Sequence, residues 1–418
     1  MPITRREFVT TTSLAGAALG LGGASTALAS LLQNTQPSRK LNILVLGGTG
    51  FIGPHMVERA IERGHTVTLF NRGQTNTHLF PELEKLKGDR DPDVEGGLAA
   101  LQGREWDAAI DTASFVPRWV NASTSLLADR IGQYVFISSI SVYKDGSIHG
   151  MTEDVEVGTV EDETREDWKS PGLYGPLKAL CEQTASKAMG GRATNIRPGF
   201  IVGPRDRALN RFPMWVLRVA KRDEIVAPGT PDDPVQLIDA RDLAAFAIHC
   251  IEQKTAGTFN AVGPEDQLGV GAMVAGIKKG CGTDPKVTWV SDEFIEKWSS
   301  SGTDPEKPNQ MPLVPCIPPD SEAAGYGTVS NAKAVAAGMT FRSVEDSARD
   351  SLKWIEEGED PTRRQRMLDF IVDSGMEDGL LEAWKAREDD SEPERQSAIF
   401  PQRSSVVIGG TSAGTVQV

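Results

Sequence analysis

The chain has 418 residues, enough for a sizeable core in one large α/β domain or in two lobes around a cleft. Its formal net charge of −14 argues against nucleic acid as a partner, because nucleic-acid surfaces depend on clustered Lys and Arg. The four cysteines lie far apart, without a CxxC pair or a histidine at ligand spacing, so we expect no metal site. The sequence allows two alternatives, one or two disulfides or four unpaired thiols.

The first thirty residues have the layout of an export signal. Arg5 and Arg6 precede a modestly apolar stretch, and a small-x-small cleavage site ends at Ala29. The paired arginines favour the twin-arginine route and a periplasmic location. An anchoring helix is the alternative, but the stretch is too weakly apolar for a comfortable span. We predict a signal peptide at 1–29, a leader at 30–40 and no stable membrane span after cleavage.

A glycine-rich loop follows the first predicted strand, an apolar run at 41–46 that is typical of a parallel strand covered on both faces. Gly47 permits a tight turn, Gly50 lets the backbone approach a pyrophosphate, and Gly53 lets the next helix sit close to the sheet. The helix N terminus then presents free N–H groups to phosphates. The loop thus predicts a dinucleotide site formed by Gly47, Thr49, Gly50, Phe51, Ile52 and Gly53.

The identity of the dinucleotide depends on the end of the second predicted strand, 66–70. NAD-preferring proteins often place an acidic residue there, against the ribose hydroxyls. This chain has Asn71 and Arg72 instead. Arg72 suits a 2′-phosphate; in the alternative it is a solvated arginine and Asn71 alone holds the ribose. The predicted cofactor is therefore NAD or NADP.

A second pattern predicts a catalytic group. A buried strand at 134–137 runs into hydroxyl residues, and Tyr174 and Lys178 follow at a spacing that puts both on one face of a helix. A lysine ammonium near a phenol lowers the tyrosine pKa, so that the tyrosine can exchange a proton with a hydroxyl or ketone. A serine such as Ser139 would hold the same substrate oxygen.

Together these motifs resemble the extended short-chain dehydrogenase/reductases, the family of nucleotide-sugar epimerases and dehydratases. The resemblance implies an α/β fold, a Rossmann doubly wound parallel sheet with a smaller C-terminal substrate-binding lobe. It matches Ser139, Tyr174 and Lys178 to the family's catalytic residues, with Ser138 and Ser141 as alternatives to Ser139. It also implies that the Asp89 carboxylate meets the adenine amine. The resemblance extends the predicted cofactor site to Asp89, Arg90, Ala113 and Pro198.

The resemblance covers residues 41 to about 265 and sets the predicted organisation of the chain. After the signal peptide and leader, we expect an NAD(P)-binding Rossmann domain at 41–203 completed by 234–262, a substrate-binding lobe at 204–233 and 263–335, a C-terminal helical segment at 336–389 and a flexible tail at 390–418. Five arginines of the lobe either meet an acidic part of the substrate or form a solvated basic helix face: Arg205, Arg207, Arg211, Arg218 and Arg222.

The motifs also narrow the reaction. Family members that eliminate water carry an Asp-Glu pair where this chain has Ile140 and Ser141, so epimerisation, or oxidation and reduction of a carbinol, fits better. Export with a loaded cofactor favours redox-neutral chemistry. We predict an NAD(P)-dependent epimerase or oxidoreductase acting on a sugar or nucleotide-sugar-like small molecule. The alternatives are an NADPH-dependent reductase of a small carbonyl substrate and a non-catalytic Rossmann binding protein, and a homodimer is left open.

Overall fold

The computed structural model describes residues 39–112, 114–208, 211–302, 313–358, 360–372 and 375–391. The predicted signal peptide, Ala113, most of the predicted leader and nearly all of the predicted tail lie outside the described residues.

A seven-stranded parallel sheet forms the centre of the first lobe, in the order β11-β6-β5-β4-β1-β2-β3. Its strands are short, and the central ones are buried along their length because helices cover both faces. The strand order reverses at β1, which lies between β2 and β4, and this switch point opens a crevice at the carboxyl ends of the strands. The strands are β1 Asn42–Leu46, β2 Thr66–Asn71, β3 Glu84–Lys87, β4 Ala108–Asp111, β5 Gln133–Ile137, β6 Ala193–Pro198 and β11 Gly257–Ala261.

Helices cover both faces of this sheet. On one face α1 and α5 bury apolar side chains such as Met56 and Phe246 against the strands. On the other face α2 and α3 do the same with Val120 and Met189. These helices are α1 Gly53–Glu62, α2 Pro117–Leu127, α3 Tyr174–Met189 and α5 Ala240–Gln253, and short 3₁₀ turns lie at Ala99–Leu101 and Ile140–Val142. The α/β Rossmann fold predicted from the sequence is confirmed.

The second lobe has its own core, in which α4 packs against α6 and a two-stranded parallel sheet of β8 and β13. Two further pairs of short strands are β7 with β10 and β9 with β12. The elements of this part are β7 Ile201–Val202, α4 Phe212–Lys221, β8 Glu224–Pro228, β9 Pro234–Val235, β10 Ile238–Asp239, β12 Leu268–Gly269, α6 Val270–Cys281, β13 Lys286–Val290 and α7 Asp292–Ser300.

Helices of the C-terminal region pack mainly on this second core, where α9 contacts α6 and α10 contacts α4. These last elements are a 3₁₀ turn at Ala324–Gly327, α8 Ala332–Ala336, α9 Val344–Lys353, a π-helical turn at Trp354–Gly358, α10 Pro361–Ile371 and α11 Met376–Ser391.

Two of the five lobe arginines hold this C-terminal region in place. Arg218 is fully buried, and its Nε donates to both carboxylate oxygens of Glu377, at 3.0 and 2.9 Å. Arg222 bonds the same carboxylate and the Val372 carbonyl. The prediction that these arginines meet substrate or form a solvated face is therefore wrong for both, because α4 lies in the core with its cations paired internally.

All four cysteines are described, and all carry free thiols. Cys181 and Cys250 are buried in the cores that flank the sheet, and Cys281 and Cys316 are partly buried in the second lobe. Of the helices in the described ranges, none is both long and apolar enough to cross a membrane.

Candidate active site

The glycine loop lies at the switch point of the sheet, and its three glycines meet three different constraints. Gly47 has φ +94°, a left-handed conformation that side chains disfavour. A Cβ on Gly53 would lie 2.3 Å from the Gly47 carbonyl oxygen, so only glycine allows α1 to sit this close. A Cβ on Gly50 would meet no atom within 4 Å, because it would point into an open cavity. This last position is where a ligand can approach the backbone.

The N terminus of α1 faces the same cavity. The first N–H groups of a helix have no partner within the helix. Ile52, the N-cap residue, has no polar side chain to satisfy them, and Pro54 occupies the first turn. These N–H groups and the positive end of the helix dipole therefore suit a phosphate group. The loop fits the pyrophosphate of a nicotinamide dinucleotide.

Two adjoining cavities, of about 470 and 390 Å³, run along the carboxyl ends of the strands and share Gly47, Gly50, Phe115 and Trp168. We call the first the adenosine cavity and the second the reaction cavity. The predicted residues in the adenosine cavity, apart from the shared glycines, are Thr49, Asn71, Arg72, Asp89 and Arg90. Those in the reaction cavity are Phe51, Ile52, Gly53, Ser139, Tyr174, Lys178 and Pro198. Every predicted site residue that the structure describes thus lines one of the two.

Several of the polar groups in the adenosine cavity also shape its wall. The Asn71 side-chain oxygen accepts a hydrogen bond from the Gly73 amide at 2.9 Å. Asp89 accepts one from the Asp91 amide at 3.0 Å. Arg90 pairs with buried Asp111 at 3.1 Å and donates to a main-chain carbonyl at the end of β1. Arg72 remains exposed at the rim.

Ser139 and Tyr174 meet at the far end of the reaction cavity. Tyr174 is the first residue of α3, and its phenol lines the reaction cavity with Ser139, which lowers its pKa. Ser139 also caps the 3₁₀ turn and accepts a bond from the Ser141 amide at 3.1 Å. Gly175 makes the approach possible, because a Cβ there would lie 1.9 Å from the Ser141 carbonyl oxygen. Ser138 and Ser141 are the two predicted alternatives to Ser139. Ser138 lines the reaction cavity and Ser141 does not.

The charges around Tyr174 differ from the sequence prediction. Burial raises the pKa of Tyr174, while the Ser139 hydrogen bond and the Arg211 guanidinium lower it. The Lys178 Nζ donates to the carbonyl oxygens of Ser114 at 2.9 Å and Ile137 at 2.7 Å. Burial lowers the pKa of Lys178 to about 8. Arg211, which the sequence analysis did not connect with Tyr174, is the cation that lowers the Tyr174 pKa, and the effect of Lys178 on that pKa stays a prediction.

An aromatic wall that the sequence analysis missed closes the cavities from outside. Phe115 and Trp168 stack with ring centroids 4.5 Å apart, and Tyr174 lies 6.5 Å from Trp168. The Lys178 ammonium lies 4.8 Å from the centre of the Phe115 ring. A large indole six residues before Tyr174, in an otherwise polar stretch, is the only sequence signal for this wall.

Trp168 belongs to a loop at 160–173 that we call the cover segment. Arg118, on α2, fixes this loop to the first lobe: it pairs with Glu166 of the cover segment and with Asp91 and Asp93 beside the adenosine cavity. Because both cavities are lined by Trp168, a ligand that spans them lies under the cover segment.

The other three lobe arginines line a third cavity of about 380 Å³, which shares Gly50, Phe51 and Arg211 with its neighbours. Arg205 pairs with Glu58 at 2.7 Å, and Arg207 lies over the Trp354 ring. Arg211 pairs with buried Asp206 at 2.9 Å. All three line an open cavity, and the expectation that they meet an acidic part of the substrate stays a prediction.

The fold and the site define a dinucleotide-binding α/β protein with a Ser-Tyr pair beside the predicted nicotinamide position. The sequence profile of the NAD dependent epimerase/dehydratase family matches residues 43–262, more than half of the chain. The chain belongs to this family. The enzyme class and the nicotinamide cofactor predicted from the sequence are thereby confirmed at the level of the family.

Individual relatives are more distant. The chain is 30% identical to a 2-alkyl-3-oxoalkanoate reductase of Stenotrophomonas maltophilia, over 49% of this chain and 64% of the relative. It is 26% identical to the chloroplast stem-loop binding protein of 41 kDa b of Arabidopsis thaliana, over 60% and 66%. The chain thus spans slightly less than two thirds of each relative's length. The Bordetella bronchiseptica enzyme WbmF in complex with NAD+ and UDP aligns with a TM-score of 0.51 and 15% identity, over 79% of this chain and 96% of WbmF.

Proposed function

We propose that the protein is an NAD(P)-dependent epimerase or oxidoreductase that acts on a carbinol carbon of a sugar or nucleotide sugar. One observation carries the proposal: Ser139 and Tyr174 line the same cavity as the glycine loop and the α1 N terminus. The UDP bound to WbmF and the similarity to a UDP-glucose 4-epimerase of Neisseria meningitidis support a sugar nucleotide as the substrate class.

Each residue has a distinct part in this reaction. A bound nicotinamide supplies a hydride acceptor and donor. Tyr174 takes the proton from the substrate hydroxyl and returns it, and Ser139 hydrogen-bonds the same oxygen. The raised pKa keeps the phenol protonated in the resting state, so Tyr174 must release its own proton to solvent before it takes the proton of the substrate hydroxyl. Ser139 and Arg211 ease that ionisation. Lys178, anchored on two carbonyls, braces α3 against the end of β5.

The composition of the reaction cavity argues against elimination of water. Among the described residues that line it, none is Asp or Glu. A dehydratase needs an acid and a base in addition to the tyrosine, and Ile140 and Ser141 occupy the positions where the family places them. Ile140 is buried in the core rather than turned to the cavity. Epimerisation, or simple oxidation and reduction, needs no further titratable group.

The proposal includes twin-arginine export and a cofactor that stays bound. Outside the cytoplasm a dissociated NADH or NADPH would not be recharged, so a hydride that is borrowed and returned suits the location. Arg72 leaves NADP open, because no carboxylate follows β2 to oppose a 2′-phosphate.

The first test identifies the cofactor. The mature protein is purified from its native compartment and denatured, and the released nucleotide is identified by mass spectrometry. We expect stoichiometric NAD or NADP. An empty site that binds added cofactor only weakly contradicts the resident cofactor and favours a reductase or a binding protein.

The second test concerns Tyr174. The holoprotein is incubated with UDP-glucose and related nucleotide sugars, and stereochemical change at the sugar is followed by NMR. Tyr174→Phe should abolish turnover with the cofactor still bound. Tyr143→Phe is the matched control, because the Tyr143 hydroxyl bonds Asn260 at 2.7 Å in a buried cluster away from the cavities. Equal activity of wild type and Tyr174→Phe would refute the assigned role.

A second candidate is reduction of a small carbonyl compound, favoured by the similarity to the Stenotrophomonas reductase. Oxidation of NADPH by a 3-oxoalkanoate, without a nucleotide sugar, would support it. The Arabidopsis relative suggests a stem-loop binding protein, which the net charge of −14 opposes.

A further inference from the structure

Arg211 occupies a junction between the two lobes. It is the N-cap residue of α4 in the second lobe, yet its side chain lines the reaction cavity together with the glycine loop. Its Cζ atom lies 5.9 Å from the centre of the Phe51 ring, and Phe51 is part of that loop. The guanidinium therefore lies near the glycine loop, in the cavity that Gly50 and Gly53 line.

Arg211 is one of the positive charges that line the cavities around the glycine loop. A dinucleotide pyrophosphate has two negative charges, and the glycine loop has no charged side chain to meet them. Among the described residues that line the reaction cavity, the cations are Lys178 and Arg211. Lys178 is held by two carbonyls at the Tyr174 end. In the adenosine cavity Arg90 is paired with buried Asp111. Arg72 and Lys169 add positive charge at the adenosine cavity, and Arg211 is the cation of the reaction cavity that no main-chain carbonyl of the described residues holds.

One hydrogen bond orients the Arg211 side chain, but its guanidinium has further N–H groups without a partner among the described residues. Its Nη2 donates to Asp206 at 2.9 Å, and Asp206 is almost fully buried, so the pair fixes the guanidinium. Its Nε is buried without a hydrogen-bond partner among the described residues. An arginine held on one side by a carboxylate, with other N–H groups directed to a cavity, is suited to bind phosphate oxygens.

We propose that Arg211 completes the cofactor site from the second lobe by binding the pyrophosphate opposite the α1 N terminus. The inference rests on the proposed function only in requiring a nicotinamide dinucleotide, not in requiring a sugar substrate. It makes the bound cofactor a bridge between the lobes, with the glycine loop on one side and α4 on the other.

The test measures NAD+ binding to the cofactor-free protein by calorimetry, without turnover. Arg211→Met should weaken NAD+ binding about ten- to a hundred-fold, the range for loss of a charged hydrogen bond, and Arg211→Lys should lie between. ADP-ribose keeps the pyrophosphate and lacks nicotinamide, so Arg211→Met should weaken its binding by the same factor. Arg205→Met is the matched control: Arg205 is paired with Glu58 and lines the third cavity only, so its NAD+ affinity should stay within two-fold of wild type.

Salt provides a second readout that a merely structural role would not reproduce. The difference between wild type and Arg211→Met should shrink as NaCl is raised from low to high concentration, because the lost interaction is ionic. An unchanged NAD+ affinity in Arg211→Met, with the protein folded by circular dichroism, overturns the proposal. If wild type binds NAD+ and Arg211→Met does not, yet no sugar is turned over, the pyrophosphate contact stands and the proposed function fails.

Discussion

Gly175 sets the distance between the two groups that the proposed reaction needs, and its replacement by alanine tests that geometry. The new Cβ would lie 1.9 Å from the Ser141 carbonyl oxygen, where real Cβ atoms keep at least 3.0 Å. The start of α3 must therefore move by about 1.1 Å, since main chain stands on the other side. We expect Gly175→Ala to lower the free energy of unfolding by about 1–3 kcal/mol. The displacement carries Tyr174 away from Ser139, and misplacement by about 1 Å can cost about a hundred-fold in kcat.

The assay combines urea unfolding with turnover of the holoprotein. Gly190→Ala is the matched control at the other end of α3, where φ is +56° and a Cβ would meet nothing within 4 Å. It should cost about 1 kcal/mol through backbone strain and leave kcat unchanged. If Gly175→Ala keeps both its stability and its kcat, or if the two variants lose activity equally, the packing of Gly175 against the Ser141 turn does not set the catalytic distance.

Three further predictions test other parts of the molecule. Gly50→Ala should keep the free energy of unfolding within about 0.5 kcal/mol of wild type and weaken NAD+ binding in calorimetry. Gly53→Ala should instead lower the free energy of unfolding by about 1–3 kcal/mol. Equal effects of the two variants on stability would contradict the roles assigned to these glycines. Arg118→Met should speed NAD+ dissociation in stopped-flow measurements, because it releases the cover segment. Arg165→Met should not, because the ion pair of Arg165 stays within that segment. Equal dissociation rates in the two variants would refute the idea that Arg118 holds the cover segment in place. Burial raises the pKa of Asp242 to about 6, so the folded state holds this proton more tightly than the unfolded chain does. The free energy of unfolding should therefore fall as pH rises from about 4 to about 6. Asp242→Asn should flatten that slope in urea titrations, and a slope of opposite sign would exclude the assignment.

The parts of the site that the sequence predicts are those encoded locally. The strand, glycine loop and helix at 42–62 follow from a continuous apolar run and a fixed glycine spacing, and the contacts of Gly47, Gly50 and Gly53 follow from the same seven residues. The helical spacing also places Tyr174 and Lys178 one turn apart. Such patterns need no knowledge of distant segments.

The parts that the sequence does not predict depend on partners far away in the chain. Arg218 and Glu377 are 159 residues apart, and no pattern in α4 shows that its arginine points inward. Lys178 bonds main-chain carbonyls, which every residue has, so its spacing from Tyr174 could not show where its ammonium goes. Arg211 is one of five similar arginines in the sequence, and only the fold distinguishes it.

The indole wall of the cofactor crevice gives the protein an internal optical reporter. Trp168 and Trp119 both line the adenosine cavity, and Trp168 extends into the reaction cavity. Indole emission overlaps the absorbance of a reduced nicotinamide and not that of an oxidised one. Energy transfer over a few ångströms is efficient, so tryptophan emission should dim whenever hydride resides on the bound cofactor. The redox state of the protein can thus be followed by fluorescence during a single turnover, without a label and without knowing the substrate.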